Sequence, residues 1–188
     1  DKDELVCCKI TTGKDEMFIA THEGKAIRFP EANVREMGRT ASGVRGIRLA
    51  KKDEVIAAEI VHKDATLLSI TSLGFGKKTK FKEYRIQSRG GKGIINVKVT
   101  PKNGKVVNVL AVEEQDEIVI VTTGAMVVRC PVNQTRTSGR NAQGVRLIRL
   151  KEGHKVAAVA RVVEKEEGEE NSQIELIDEK KTPPKKSK

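Results

Sequence analysis

Three apolar runs recur along this chain at intervals of about fifty residues, and each leads into a glycine. They are Met17-Phe18-Ile19-Ala20-Thr21 before Gly24, Leu67-Leu68-Ser69-Ile70-Thr71 before Gly74, and Ile118-Val119-Ile120-Val121-Thr122 before Gly124. Runs of this length rich in branched residues and stopped by glycine read as strands entering tight turns. A second landmark follows each run: Arg39-Thr40-Ala41-Ser42-Gly43, Arg89-Gly90-Gly91-Lys92-Gly93 and Arg140-Asn141-Ala142-Gln143-Gly144. Shortly after its last glycine come Ile47-Arg48-Leu49, Val97-Lys98-Val99 and Leu147-Ile148-Arg149-Leu150, where apolar positions alternate with a cation. That period of two predicts a strand with one buried and one basic face. A third landmark closes each unit: Glu54-Val55-Ile56-Ala57-Ala58, Lys105-Val106-Val107-Asn108-Val109 and Lys155-Val156-Ala157-Ala158-Val159.

Each unit offers about four strands and almost no helical periodicity, so the repeat reads as a four-stranded blade. The expected class is all-β and propeller-like, with about three blades near residues 14–61, 64–112 and 115–163. Glu4-Leu5-Val6-Cys7-Cys8 fits the closing slot, so residues 3–11 are expected to be the last strand of a preceding blade. Ala57, Ala58, Ala157 and Ala158 suit strands crowded near a common axis.

Composition narrows the partners. The 188 residues carry a net charge of +10, which points to an anionic partner such as duplex nucleic acid or a membrane surface. Residues 164–188 change to mixed charged runs ending in Lys180-Lys181-Thr182-Pro183-Pro184 and further lysines; they read as a solvated tail that cannot bury a core. The excess positive charge therefore belongs to the repeats. No apolar stretch is long enough for a membrane helix and no leader-like segment opens the chain, so a cytoplasmic protein at the nucleoid is expected. The three cysteines, Cys7, Cys8 and Cys130, have neither disulfide nor metal spacing and read as reduced packing residues. With no Trp, one Tyr and four Phe, the chain has few rings for stacking unpaired bases, which favours duplex over single-stranded nucleic acid.

Overlaying the repeats puts cations in register on four tracks: Arg28, Lys78 and Arg129; Arg39, Arg89 and Arg140; Arg45 and Arg146; Arg48, Lys98 and Arg149. A solvated surface has no need of charge at the same place in every repeat, whereas phosphate contacts gain by summation. The richest stretch spans residues 77–102, where Lys77, Lys78, Lys80, Lys82, Arg85, Arg89, Lys92, Lys98 and Lys102 stand against the single acid Glu83. Within it, Gly90, Gly91 and Gly93 are expected to expose backbone N–H groups to a phosphate, with Gln87 as a neutral donor. Gly74-Phe75-Gly76-Lys77-Lys78-Thr79 lacks the first glycine and the helix of a P-loop. His22, His62 and His154 fall in different units, and Tyr84 has no partnering base or carboxylate cluster. No catalytic site, metal site or cofactor is expected.

The runs Met37-Gly38-Arg39-Thr40-Ala41-Ser42-Gly43-Val44-Arg45-Gly46-Ile47-Arg48-Leu49 and Gly139-Arg140-Asn141-Ala142-Gln143-Gly144-Val145 closely resemble later blades of the DNA gyrase A C-terminal domain, over residues 3 to about 163. The resemblance implies a β-pinwheel, six-bladed in the whole family domain, whose basic rim bends duplex DNA. It also implies the rest of gyrase A, and gyrase B, as partners in ATP-dependent negative supercoiling. The family's box motif is matched by Gln87-Ser88-Arg89-Gly90-Gly91-Lys92-Gly93 except that Ser88 replaces a cation, so this run is read as an echo of a box lying upstream. The rivals are the related domain of topoisomerase IV and a propeller-type protein-interaction module.

Overall fold

The computed structural model describes residues 4–162, and the expectation for the charged tail lies outside them. Eleven strands alternate with three single-turn 3-10 helices. The first repeat supplies β1 (Glu16–Thr21), β2 (Lys25–Pro30) and β3 (Val55–Ile60). The second supplies β4 (Thr66–Thr71), β5 (Phe75–Lys80), β6 (Ile94–Ile95) and β7 (Val106–Val112). The third supplies β8 (Glu117–Thr122), β9 (Val127–Pro131), β10 (Val145–Arg146) and β11 (Val156–Val162).

The sheets are not the repeats. Their orders are β3-β1-β2-β6, β10-β5-β4-β7 and β11-β8-β9, so each of the first two is completed by a short strand lent by the following repeat. Lys25 and Ala26 pair with Ile95 and Ile94, and Gly76 and Phe75 pair with Val145 and Arg146. One four-stranded blade per repeat is thus corrected to three strands at home and one on loan.

The alternating segments at 47–49, 97–99 and 147–150 do not form the expected strands. Their alternation is real, since Ile47, Val97 and Ile148 are buried while Arg48, Lys98 and Arg149 are exposed. The ladder stops because two successive N–H groups converge on one carbonyl. Asn96 and Val97 both donate to Gly24, at 2.8 and 3.2 Å, and Leu147 and Ile148 both donate to Gly74, at 2.9 and 3.2 Å.

Two further expectations change. Among the described residues, those at 4–10 form no strand; Leu5 and Ile10 are exposed, and the segment is held to β3 by Cys7 against the Ala58 carbonyl and by the Lys9–Glu59 pair. A closing strand needs a sheet to close, and the described residues hold none for it. For the same reason Cys7 and Cys8 are exposed free thiols rather than packing residues, while Cys130 is half-buried, its thiol pKa raised by burial.

The third turn is also displaced by one residue from the Gly24 and Gly74 frame. Gly24 and Gly74 donate to Thr21 and Thr71, and the matching donor to Thr122 is Ala125, not Gly124. Ala125 has φ 57° where the glycines have 78°.

The cores lie between sheets, which is why a lone repeat is not a stable unit. Phe18, Ala20 and Ala57 of the first sheet pack with Leu67, Phe81, Tyr84, Val106 and Val109. Leu68, Ile70 and Val112 do the same with Ile118, Ile120, Val132, Val156 and Val159. Phe18 meets Phe81 and Tyr84 edge-on at 5.7 and 4.9 Å; fully burying such a ring stabilises by about 1.5–3 kcal/mol. Strands β3, β7 and β11 lie side by side along the axis. Ala57 is buried there, whereas Ala157 and Ala158, on the last such strand described, are exposed.

Candidate nucleic-acid interface

The lent segment carries the box-like turn, and its backbone clamps the preceding sheet. Gln87 donates its N–H to the Arg28 carbonyl at 2.8 Å, Gly90 to Gly46 at 2.7 Å, and Gly91 accepts from Arg48 at 2.8 Å. Ser138 repeats the first of these on Lys78 at 2.9 Å. Gly93 adopts φ 66°, and a Cβ there would stand 2.5 Å from the Ala26 carbonyl oxygen; Gly144, at φ 85°, would stand 2.6 Å from that of Gly76. Only glycine fits such a position. This revises the expected role of the glycines: the Gly90 amide is already spent on protein, and Gly93 is small so that a strand, not a phosphate, can come close.

The first cation track is internal wiring at Arg28 and Lys78, while its third member, Arg129, is exposed. Arg28 is ion-paired with Glu16 and donates to the carbonyls of Phe81 at 2.8 Å and Tyr84 at 3.3 Å, capping the next repeat's 3-10 helix (Phe81–Glu83). Lys78 is 2% exposed, its ammonium 2.6 Å from Glu114. Arg129 pairs with Glu117. Lys77 is 1% exposed, and its ammonium donates to the carbonyls of Gly139 at 2.8 Å and Arg140 at 2.6 Å. Burial, and then the Arg140 guanidinium, lower its pKa to about 8. Lys77 and Lys78 thus leave the expected phosphate-binding set, because a charge enclosed by protein acceptors releases no counterion from DNA.

The second track staples neighbouring repeats. Arg89 donates Nε to the Asn33 carbonyl at 3.0 Å and Nη1 to that of Arg45 at 2.6 Å, and Arg140 donates to Ile95 at 3.0 Å. Both are half-buried, so each guanidinium fixes a turn with one edge and leaves further N–H donors. Arg39 is exposed.

Exposed cations from the expected set are Arg39, Arg45, Arg48, Lys80, Arg85, Lys92, Lys98, Arg129, Arg146 and Arg149, with Arg129 also paired to Glu117. Arg146 lies over the Phe75 ring at 5.3 Å. Reading the tracks missed Lys25, which lines one cleft with Arg48 and Lys92, and Arg136, which lines another beside Ser138. Lys25 faces Ile95 on the lent strand, a pairing that no sequence pattern announces. Gln87 keeps its side-chain Nε2 buried with no hydrogen-bond partner in the protein.

Tyr84 is no nucleophile. It is 1% exposed, its hydroxyl donates to Asn96 Oδ1 at 2.6 Å, and burial holds the phenol far above its ordinary pKa. It caps the C-terminal end of the 3-10 helix Phe81–Glu83. Among the described residues no group of His, Cys, Asp and Glu is arranged to hold a metal ion, and no helix is long and apolar enough to cross a membrane.

Three sheets around an axis, joined by lent strands and rimmed with cations, define a propeller-type repeat domain. The particular family follows from comparison with known proteins. The family model for the DNA gyrase C-terminal domain, beta-propeller, matches residues 15–62, 65–113 and 116–162, and the chain belongs to that family. It is 40% identical over 173 residues to DNA gyrase A of Staphylococcus aureus (strain NCTC 8325 / PS 47), covering 91% of this chain and 20% of that protein. The chain therefore spans about a fifth of the curated relatives it matches. A solved structure of the DNA gyrase A C-terminal domain superposes with TM-score 0.76 at 25% identity, over 81% of this chain and 52% of that one. The C-terminal domain of DNA topoisomerase IV superposes with TM-score 0.75 at 26% identity, over 80% and 47%.

Proposed function

We propose that this chain binds duplex DNA without sequence preference along its cationic rim and bends it, as part of the C-terminal domain of DNA gyrase A. The observation that carries the reading is recurrence. Exposed Arg48, Lys98 and Arg149 stand at the same place in three successive repeats, each held outward by the buried apolar residue before it. Such a row tracks a backbone of regularly spaced phosphates, and counterion release sums over its members. Bending 20–30 base pairs costs about 1–6 kcal/mol, which several phosphate contacts offset. The domain cuts nothing and needs no cofactor of its own; the rest of gyrase A, and gyrase B, supply cleavage and ATP hydrolysis in the cytoplasm, and the wrap feeds them a crossing of defined hand.

Titrating linear duplex DNA across a salt series tests the binding. With roughly six phosphates contacted, log K falls against log salt with a slope of about −5; a flat response defeats the reading. Sealing nicked plasmid with the chain bound tests the bend, and an unchanged linking number means binding without a chiral wrap. The topoisomerase IV domain, which superposes almost equally well, is the second reading, and the sign and size of the linking change separate the two.

A further inference from the structure

The two residues that face each other where a lent strand joins its sheet carry the same chemistry in opposite order. In the first joint Lys25, the residue after Gly24, faces Ile95; in the second Phe75, the residue after Gly74, faces Arg146. Each pair holds one cation and one apolar side chain, and the cation has changed strands. The Arg146 guanidinium lies over the Phe75 ring, 5.3 Å from its centroid, which puts its charge above the hairpin position that Lys25 occupies one repeat earlier. Arg45, Ile95 and Arg146 stand at the same distance after Gly43, Gly93 and Gly144, so the isoleucine interrupts a track of arginines at the point where Lys25 faces it. Lys25 and Arg146 are exposed, whereas Phe75 is 8% exposed beneath its arginine. The charge at this point is kept from joint to joint, and only the strand that supplies it differs.

We propose that each such pair is one phosphate-binding unit, a cation braced by an apolar side chain on the facing strand, and that Lys25 supplies in the first joint the DNA contact that Arg146 supplies in the second. The inference rests on the DNA-binding reading and adds to it a residue that the cation tracks leave out. Lys25 lines one cleft with Arg48 and Lys92 and another with Ile95 and Lys98, so it stands between exposed cations of successive repeats. The acids in those clefts are taken. Glu23 pairs with Lys105, and Asp53 accepts the N–H groups of Glu23 and Glu54, both at 2.9 Å. The Lys25 ammonium is left for an external anion while its stem packs along Ile95. The Arg146 guanidinium rests one face on the ring and keeps its edge N–H donors for the same use. A lysine meets a phosphate as a point charge and an arginine as a two-pronged donor, so the two units differ in geometry and each neutralises one phosphate.

The test measures the affinity of the 188-residue chain for linear duplex DNA across a salt series, in the wild type, Lys25→Gln, Lys25→Phe, Arg146→Ala and the exchanged pair Lys25→Phe/Ile95→Arg. Each of the three single variants should lower the steepness of log K against log salt by about one phosphate, alike on every sequence. The exchanged pair, which gives the first joint the chemistry of the second, should regain the wild-type slope. A purely structural role for Lys25 would produce no such rescue. Melting temperatures check that the variants are folded, and Lys25→Gln, the mildest of them, decides the matter alone if the phenylalanine variants are not. A wild-type slope kept by Lys25→Gln, or a folded exchanged pair that fails to regain it, overturns the proposal while salt-dependent binding by the wild type leaves the DNA reading standing. A flat response from the wild type itself defeats both.

Discussion

The first and second joints between sheets share a topology and differ in chemistry. In the first, Ile27 pairs with Ile19 across the hairpin and is fully buried with Phe29 and Ile47, lying under Gly91 of the box-like turn. At the equivalent place in the second, Lys77 pairs with Ser69, and its ammonium holds the carbonyls of Gly139 and Arg140. Phe18 and Phe81 of the first joint become Leu68 and Val132 in the second, both fully buried. What stays constant is backbone: one hairpin carbonyl receiving two N–H groups, and a glycine that lets the strand approach. Side chains on this frame can be exchanged between apolar and charged solutions as long as every buried polar group finds a partner.

The sharpest way to break the comparison is Ile27→Lys. If the first joint lacks acceptors in the right place, burying an ammonium there destabilises by about 3 kcal/mol or more, read as a drop in urea midpoint at unchanged m-value. A loss below about 1 kcal/mol would mean that the turn carbonyls of the first joint serve a lysine as those of Gly139 and Arg140 do. The two joints would then be interchangeable. The reverse change, Lys77→Met, leaves those two carbonyls without their donor but also removes a buried charge. The terms oppose, and a net loss of about 1 kcal/mol is expected at neutral pH. A loss as large as that of Ile27→Lys would make the lysine the main tie of the second joint.

Lys77 also gives the joints different pH responses. Its folded pKa of about 8 lies below the ordinary 10.5, so between those values the unfolded chain holds a proton that the folded chain has released. Stability from this group therefore rises with pH across that window and is level on either side. The neutral amine retains two N–H donors, enough for both carbonyls. The stability of wild type relative to Lys77→Met should accordingly increase from about pH 8 to 10.5 in paired melts. A constant difference would mean that Lys77 titrates like a surface lysine.

The repeat, its period and its β-character were legible because burial between sheets imposes the same alternation on every unit: Ile47, Val97 and Ile148 inward, Arg48, Lys98 and Arg149 outward. The lending of β6 and β10 was not, because a two-residue strand has no periodicity and its partner is set by a carbonyl in another repeat. The cation tracks were found, but not their division. Lys78 beside Glu114 and Arg48 beside solvent look alike in sequence, since the residue that neutralises Lys78 lies 36 positions away. The shift from Gly124 to Ala125 was invisible for a related reason: a glycine stands one residue before the left-handed position, and only hairpin register tells them apart.

The division between wiring and rim gives the last and smallest effect. Lys92 is exposed, whereas Arg89 spends donors on Asn33 and Arg45. Lys92→Ala should therefore lower the steepness of the salt dependence of DNA binding by about one phosphate, alike on every sequence, with no change in melting temperature. Arg89→Ala should produce a comparable loss in binding together with a lower melting temperature, because the staple to the preceding repeat goes with it. A Lys92 variant that melts early, or an Arg89 variant that does not, would show that the rim and the wiring are not separate at this turn. Equal salt slopes for wild type and Lys92→Ala would move the DNA path away from the box-like turn and toward the row at Arg48, Lys98 and Arg149.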